Sequence, residues 1–153
     1  MKKGAINNAM GAILMPYNRI GGHLTFPPPL IAHAQVDGSF GRGGGRIAAI
    51  LTSDTGDAAF RSTRPIKALN STETEWAAVS LGLELALQHD QTAIGIENDC
   101  LGVIHGLLFP DTPLKHAYAR HWRSQILKLA TETHWTGVRW IPREINKADG
   151  LLR

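Results

Sequence analysis

The chain has 153 residues, of which 43% are hydrophobic and 19% charged, the size and composition of one domain around one core. Those figures exclude a multidomain assembly and a disordered tail, and every apolar run is interrupted short of the ~18 residues that a membrane span needs. The net charge of +3 is unevenly spread: residues 1–70 carry eight Lys/Arg against three acids, residues 71–110 six acids and no Lys or Arg, and residues 111–153 eight basic residues against four acids. An acidic centre between basic ends is compatible with a metal site beside a polyanion-binding surface, although the pattern by itself favours a solvated acidic helix face. The basic start Met1-Lys2-Lys3 is followed by Asn7, Asn8 and Pro16 instead of an apolar block, so no targeting segment is read there. The single cysteine, Cys100, cannot make an internal disulfide and fits a reducing cytoplasm.

Pro27-Pro28-Pro29 forms a stiff extended segment that marks a boundary. Residues 1–30 are therefore expected to be an N-terminal extension of unknown structure, with the domain proper spanning 31–153. Leu30 to Phe40 reads as a strand, Gly41 to Gly45 as a turn and Arg46 to Ser53 as a second strand. Asp54 to Gly56 is a turn and Asp57 to Thr63 a third strand, and the tight connections imply an antiparallel meander. The period then changes. Thr72 followed three residues later by Glu75 is a capping-box pattern, and Trp76, Val79, Leu83 and Leu87 recur at helical spacing, which predicts a helix over 73–89. Ala93 to Glu97 is a short strand, and Asn98-Asp99 could cap a helix over 100–108 that Pro110 to Pro113 ends. A helix over about 114–131 and a strand over 134–141 follow. The order β-β-β-α-β-α-α-β predicts an α/β fold: a five-stranded mixed sheet flanked by helices.

Four acids fall where strands and helices begin or end: Asp37, Glu75, Asp99 and Asp149. Each has an ordinary reading, as a turn dipeptide (Asp37-Gly38), a capping-box member, an N-cap and a solvated acid near the end of the sequence. Glu75, however, shares a helical face with Val79, Gly82 and Ala86, a small-residue face suited to close packing on a sheet. A carboxylate held there needs a partner, and clustered Asp and Glu without Cys or His ligands suit magnesium better than zinc.

Four segments together resemble ribonuclease H. Val36-Asp37-Gly38-Ser39 before a Gly-rich turn resembles that family's first strand, and Ser71-Thr72-Glu73-Thr74-Glu75-Trp76-Ala77-Ala78 resembles its helix motif in retroelement and plant-type members. Ile96-Glu97-Asn98-Asp99-Cys100 is similar to its strand-end element, and Trp140 to Leu151 (WIPREINKADGL) to its closing motif. The resemblance covers about residues 31–153 and points to type 1, in the short retroelement, archaeal and plant-type branch. It implies a catalytic domain in which Asp37, Glu75, Asp99 and Asp149 are both catalytic residues and ligands of two divalent ions, normally Mg2+ with Mn2+ as a substitute. It further implies cleavage of the RNA strand of an RNA–DNA hybrid, leaving 5′-phosphate and 3′-hydroxyl ends. Two metals ~4 Å apart can activate a water for in-line attack and stabilise the departing 3′-oxygen without a protein nucleophile.

By the same resemblance Ser39, Gly41 and Arg42 lie near where the family meets the hybrid. Ser71 and Thr72 occupy positions of paired strand-contacting Asn residues, where small polar groups suit 2′-hydroxyl recognition. Arg143 joins them as a substrate contact in the closing loop. Several departures stand out: Ile145 replaces the family's Asn four residues before the last acid, with Asn146 one place later, and no His follows His134. Only four residues follow Asp149, so by this resemblance the family's last helix is expected to be truncated. On the helix over 114–131, Arg120, Arg123 and nearby histidines could offer a basic face to phosphates, whereas Trp122 reads as core. A monomer without a membrane or an obligate protein partner is expected by analogy. Two other readings remain open at this point: a catalytically weak or inactive nucleic-acid-binding module of the same fold, and a retroelement-derived nuclease domain.

Overall fold

The computed structural model describes residues 16–22 and 26–153. Six strands form one sheet: β1 (Asn18–Gly22), β2 (Ala32–Gly41), β3 (Gly44–Thr52), β4 (Ala59–Ile66), β5 (Ala93–Asn98) and β6 (Trp135–Trp140). Among the described residues three α-helices accompany it: α1 (Ser71–Gln88), α2 (Leu101–Leu108) and α3 (Ala117–Ala130). Two 3-10 turns, at Arg143–Ile145 and Lys147–Leu152, follow β6. The strand order is β1-β6-β5-β2-β3-β4. Strands β2, β3 and β4 form the expected antiparallel meander. The first hairpin turns on Arg42 and Gly43, with Gly44 at φ +94 just beyond. A parallel neighbour needs a crossover, and α1 supplies the one that carries the chain from β4 to β5, alongside β2. β6 then pairs parallel with β5.

The sheet has six strands where five were expected. The added strand, β1, pairs antiparallel with the exposed edge of β6, and its anchor is Tyr17. The Tyr17 ring lies over Gly95, where any Cβ would overlap it, with Trp135 edge-on at 6.4 Å and the Arg139 guanidinium 4.0 Å from its centroid. Its hydroxyl donates to Glu97 Oε2 at 2.9 Å and lies 2.6 Å from His33 Nδ1. Part of the segment expected as an N-terminal extension of unknown structure belongs to this sheet, while residues 1–15 and 23–25 lie outside the described residues.

The start of α1 corrects the expected cap. Asn70, not Thr72, is the N-cap: its side chain accepts from Glu73 N at 2.9 Å, and Glu73 Oε1 accepts from Leu69 N at 2.8 Å. The reciprocal cap therefore uses Glu73 and leaves Glu75 unengaged by the helix end. The core lies between α1 and the sheet, with Ala34, Val36, Val79, Leu83, Ile94 and Ile96 fully buried. Trp122 packs against it, as expected, and donates its Nε1 proton to Glu73 Oε2 at 2.9 Å. The small-residue face of α1 does meet the sheet: a Cβ on Gly82 would stand 2.6 Å from Val36 Cγ1.

That approach can be tested by sign. In an open helix interior Gly→Ala is stabilising by roughly 1 kcal/mol, but overpacking a filled core costs about 1–3 kcal/mol. Gly82→Ala is expected to move the urea unfolding midpoint downwards at unchanged slope. A higher midpoint would mean that α1 does not approach β2 closely.

Candidate active site

The parallel ladder between β2 and β5 ends at Gln35 opposite Glu97. Past that rung the strands part, opening a crevice outside their carboxyl ends, the place where open α/β sheets bind ligands. Asp37 enters it from β2 and is 5% exposed. Asp99 enters from the turn after β5, and Glu75 from the first turns of α1, where Gly38 N donates to Glu75 Oε1 at 3.0 Å. One carboxylate oxygen from each of the three lies within 4.8 Å of the others.

Asp99 does not cap the following helix, contrary to one ordinary reading of it. The N-cap position of α2 is Cys100, without a side-chain cap bond, and Cys100 N donates to Asn98 Oδ1 at 2.8 Å. Asp37 likewise lies inside β2 and not in a turn. The backbone oxygen of Asp99 is held by Trp140 Nε1 at 3.0 Å, from the end of β6.

Burial and mutual repulsion act on this cluster together. Burial first, and the charge of Asp99 second, push Asp37 up to about 6. Burial, then the charges of Asp37 and Asp99, push Glu75 up to about 8. Asp99 is also raised, chiefly by burial. Asp149 behaves differently. It lines the same cleft of about 630 Å³, but a hydrogen bond from Arg153 holds its carboxyl below the usual range, and Arg143 NH2 stands 3.6 Å away. The structure therefore brings Asp37, Glu75 and Asp99 together, with Asp149 on the wall of their cleft.

Of the expected substrate contacts, Ser39, Ser71 and Arg143 line the cleft. Gly41 and Arg42 stand exposed at the β2–β3 hairpin, and Thr72 is exposed on the first turn of α1, none of them lining it. On α3, NH1 of Arg120, an exposed residue, donates to the Leu114 and Lys115 carbonyls, and NH1 of Arg123 donates to those of Gly106 and Thr112. Trp140 lines the cleft without having been singled out. Its signal was its place beside Pro142-Arg143 in the closing motif.

A donor set of carboxylate oxygens, half-buried and mutually repelling, fits a hard divalent cation, which such a set can hold with waters completing its coordination. The linkage sign follows from the raised values. Between about pH 4 and pH 8 the native cluster binds more protons than the unfolded chain, so this contribution to stability is full in acid and is lost as pH rises through the folded values. The melting temperature of metal-free protein is expected to fall from pH 5 to pH 8.5, and Mg2+ to restore it most at the alkaline end. Glu75→Gln removes one charge from the crowd, so it is expected to flatten the pH dependence and weaken the Mg2+ effect in the same melts. A parent protein whose melting temperature rises steadily over that range would contradict the assignment.

Comparison with known proteins agrees with this architecture. Residues 35–150 match the family described as reverse transcriptase-like, and no curated protein is significantly similar to the chain. Ribonuclease H1 of the halophilic archaeon Halobacterium salinarum NRC-1 superposes with a TM-score of 0.70 at 23% identity, over 78% of this chain and 92% of that one. The N-terminal ribonuclease H domain of rv2228c from Mycobacterium tuberculosis, a maltose-binding-protein fusion, gives 0.71 at 19% identity, over 80% and 90%. LC11 ribonuclease H1, solved in complex with an RNA/DNA hybrid, gives 0.66 at 21% identity, over 78% and 92%. The chain belongs to the reverse transcriptase-like family, and its fold is that of the type 1 ribonucleases H.

Proposed function

We propose that the protein is a ribonuclease H, a metal-dependent endonuclease that hydrolyses the RNA strand of RNA–DNA hybrids. The observation that carries this reading is the meeting of three carboxylate oxygens within 4.8 Å at the carboxyl end of a parallel strand pair. One similar protein was solved with an RNA/DNA hybrid bound.

In this reading Asp37, Glu75 and Asp99 hold divalent magnesium, and Asp149 supplies a fourth carboxylate from the cleft wall. Two bound ions would activate water for in-line attack and stabilise the departing 3′-oxygen, leaving 5′-phosphate and 3′-hydroxyl ends. The chain's own part is positional. Gly38 N fixes the Glu75 carboxylate, and Trp140 fixes the backbone at Asp99. Ser39 and Ser71 present hydroxyls on the cleft wall, suited to a ribose 2′-hydroxyl, the group that distinguishes RNA from DNA. Arg143, with its side chain largely exposed at the cleft mouth, meets phosphate oxygens. Arg42, Gly41 and Thr72 stand farther out, where the flanking strand would pass.

The test uses a labelled RNA–DNA hybrid beside duplex RNA and duplex DNA, with Mg2+, Mn2+ or EDTA. Internal cuts in the hybrid's RNA strand alone are expected, lost in EDTA and reduced at least ~100-fold in Asp37→Asn, the order of effect of removing a preorganised charge-stabilising group. Tight hybrid binding with no cleavage in either metal would sink the enzymatic reading in favour of a binding module.

A further inference from the structure

Val36 directly precedes Asp37, and its backbone carbonyl stands where the β2–β5 ladder has just ended. Two side-chain amides converge on it. Asn98 Nδ2 donates to Val36 O at 3.1 Å, and Asn146 Nδ2 donates to the same oxygen at 2.9 Å. Both residues are buried, Asn98 at 0% and Asn146 at 4% exposure. Each also serves its own turn: Asn98 Oδ1 accepts from Cys100 N at 2.8 Å, and Asn146 Oδ1 accepts from Ala148 N at 3.1 Å. Asn98 Nδ2 further lies 3.4 Å from Glu75 Oε1.

A carbonyl oxygen has two lone pairs, and here two buried donors take them. The three segments so tied are the ones that carry acids. Val36 adjoins Asp37, Asn98 adjoins Asp99 and touches Glu75, and Asn146 opens the turn that holds Asp149. A ladder rung at this point would close the sheet and leave no cleft. Side-chain amides can satisfy the same carbonyl while the backbones diverge, so the strands part without an orphaned polar group.

We infer that Asn98 and Asn146 are positioning residues that register the carboxylates through one shared anchor, the Val36 carbonyl, so that their oxygens meet at metal-binding distance. The inference rests on the ribonuclease reading above and deepens it. Neither residue touches substrate; both act through the acids.

Asn98→Ser and Asn146→Ser separate the two jobs of each side chain. A serine hydroxyl can still accept from the backbone two residues on, but it does not reach Val36 O. Mg2+ affinity is read by calorimetry on folded protein, hybrid affinity is read in EDTA, and Thr136→Val serves as the control. That control breaks a buried 2.5 Å hydroxyl pair with Thr133 at the other end of β6. The Ser variants are expected to lose about 10- to 100-fold in Mg2+ affinity, the usual effect of removing a partner that orients metal ligands. Their hybrid affinity in EDTA should stay within about twofold of the parent, while Thr136→Val melts earlier with Mg2+ affinity unchanged. The double Ser variant should lose more than the product of the singles, because only there is the shared Val36 carbonyl left without either amide. Parent-like Mg2+ affinity in both Ser variants, or an equal loss in Thr136→Val, overturns the inference; Thr replaces Ser in any variant that does not fold. A parent protein that binds no Mg2+ and cuts no hybrid defeats the ribonuclease reading itself. A parent that cuts normally beside parent-like Ser variants defeats only the anchor.

Discussion

Asp37, Glu75 and Asp99 repel one another in a half-buried cleft, and much of the surrounding architecture serves to keep them there. Left to local chemistry, two of these acids would be absorbed by helix ends. Neighbours take those jobs instead. Glu73 closes the cap of α1 with Asn70, so Glu75 can point at the cleft. Asn98 accepts the Cys100 amide, so Asp99 is not spent as a cap. Gly82 lets α1 lie against Val36, which brings Glu75 within reach of the Gly38 amide. The result is a set of carboxylates raised by burial and crowding, a condition that a divalent cation relieves.

The acidic middle of the chain can now be resolved residue by residue. Glu75 and Asp99 belong to the cleft. Glu73 is buried between the helix cap and the Trp122 indole. Glu97, 4% exposed, is compensated by an ion pair with Arg139 and by hydrogen bonds from Tyr17 and Gln35. Glu84 pairs with Arg64 on the surface at 2.8 Å, and Asp90 takes the left-handed turn after α1 at φ 58. A solvated acidic face, the plainest reading of the composition, describes only the last two.

Much of this was legible in the sequence. Hydrophobic period gave the meander and the crossover helix, because those elements bury one face against a common core. The cap of α1 was misplaced by two residues because Asn70–Glu73 and Thr72–Glu75 both carry the same spacing, and only backbone geometry separates them. β1 was not legible at all. Its sequence, Asn18-Arg19-Ile20-Gly21-Gly22, has poor strand propensity, and what holds it is tertiary: the β6 edge and a Tyr17 ring seated over Gly95. The loop carbonyls that receive Arg120 and Arg123 are likewise invisible in the order of residues. Among the candidate acids, motif spacing placed all four around one cleft, but only distance could set Asp149 apart as the one held by arginines.

The central claim, that the crowded acids are built to be neutralised by a divalent ion, predicts a proton count. With Glu75 raised to about 8, a proton resides in the cluster at pH 7 and must leave when metal enters. Calorimetric titration of Mg2+ at pH 7 in two buffers of different ionisation enthalpy measures that number directly. Release of about one proton per protein is expected, falling towards zero by about pH 9 as Glu75 ionises unaided. Mg2+ binding with no proton release at pH 7, or no binding at all, would contradict the account.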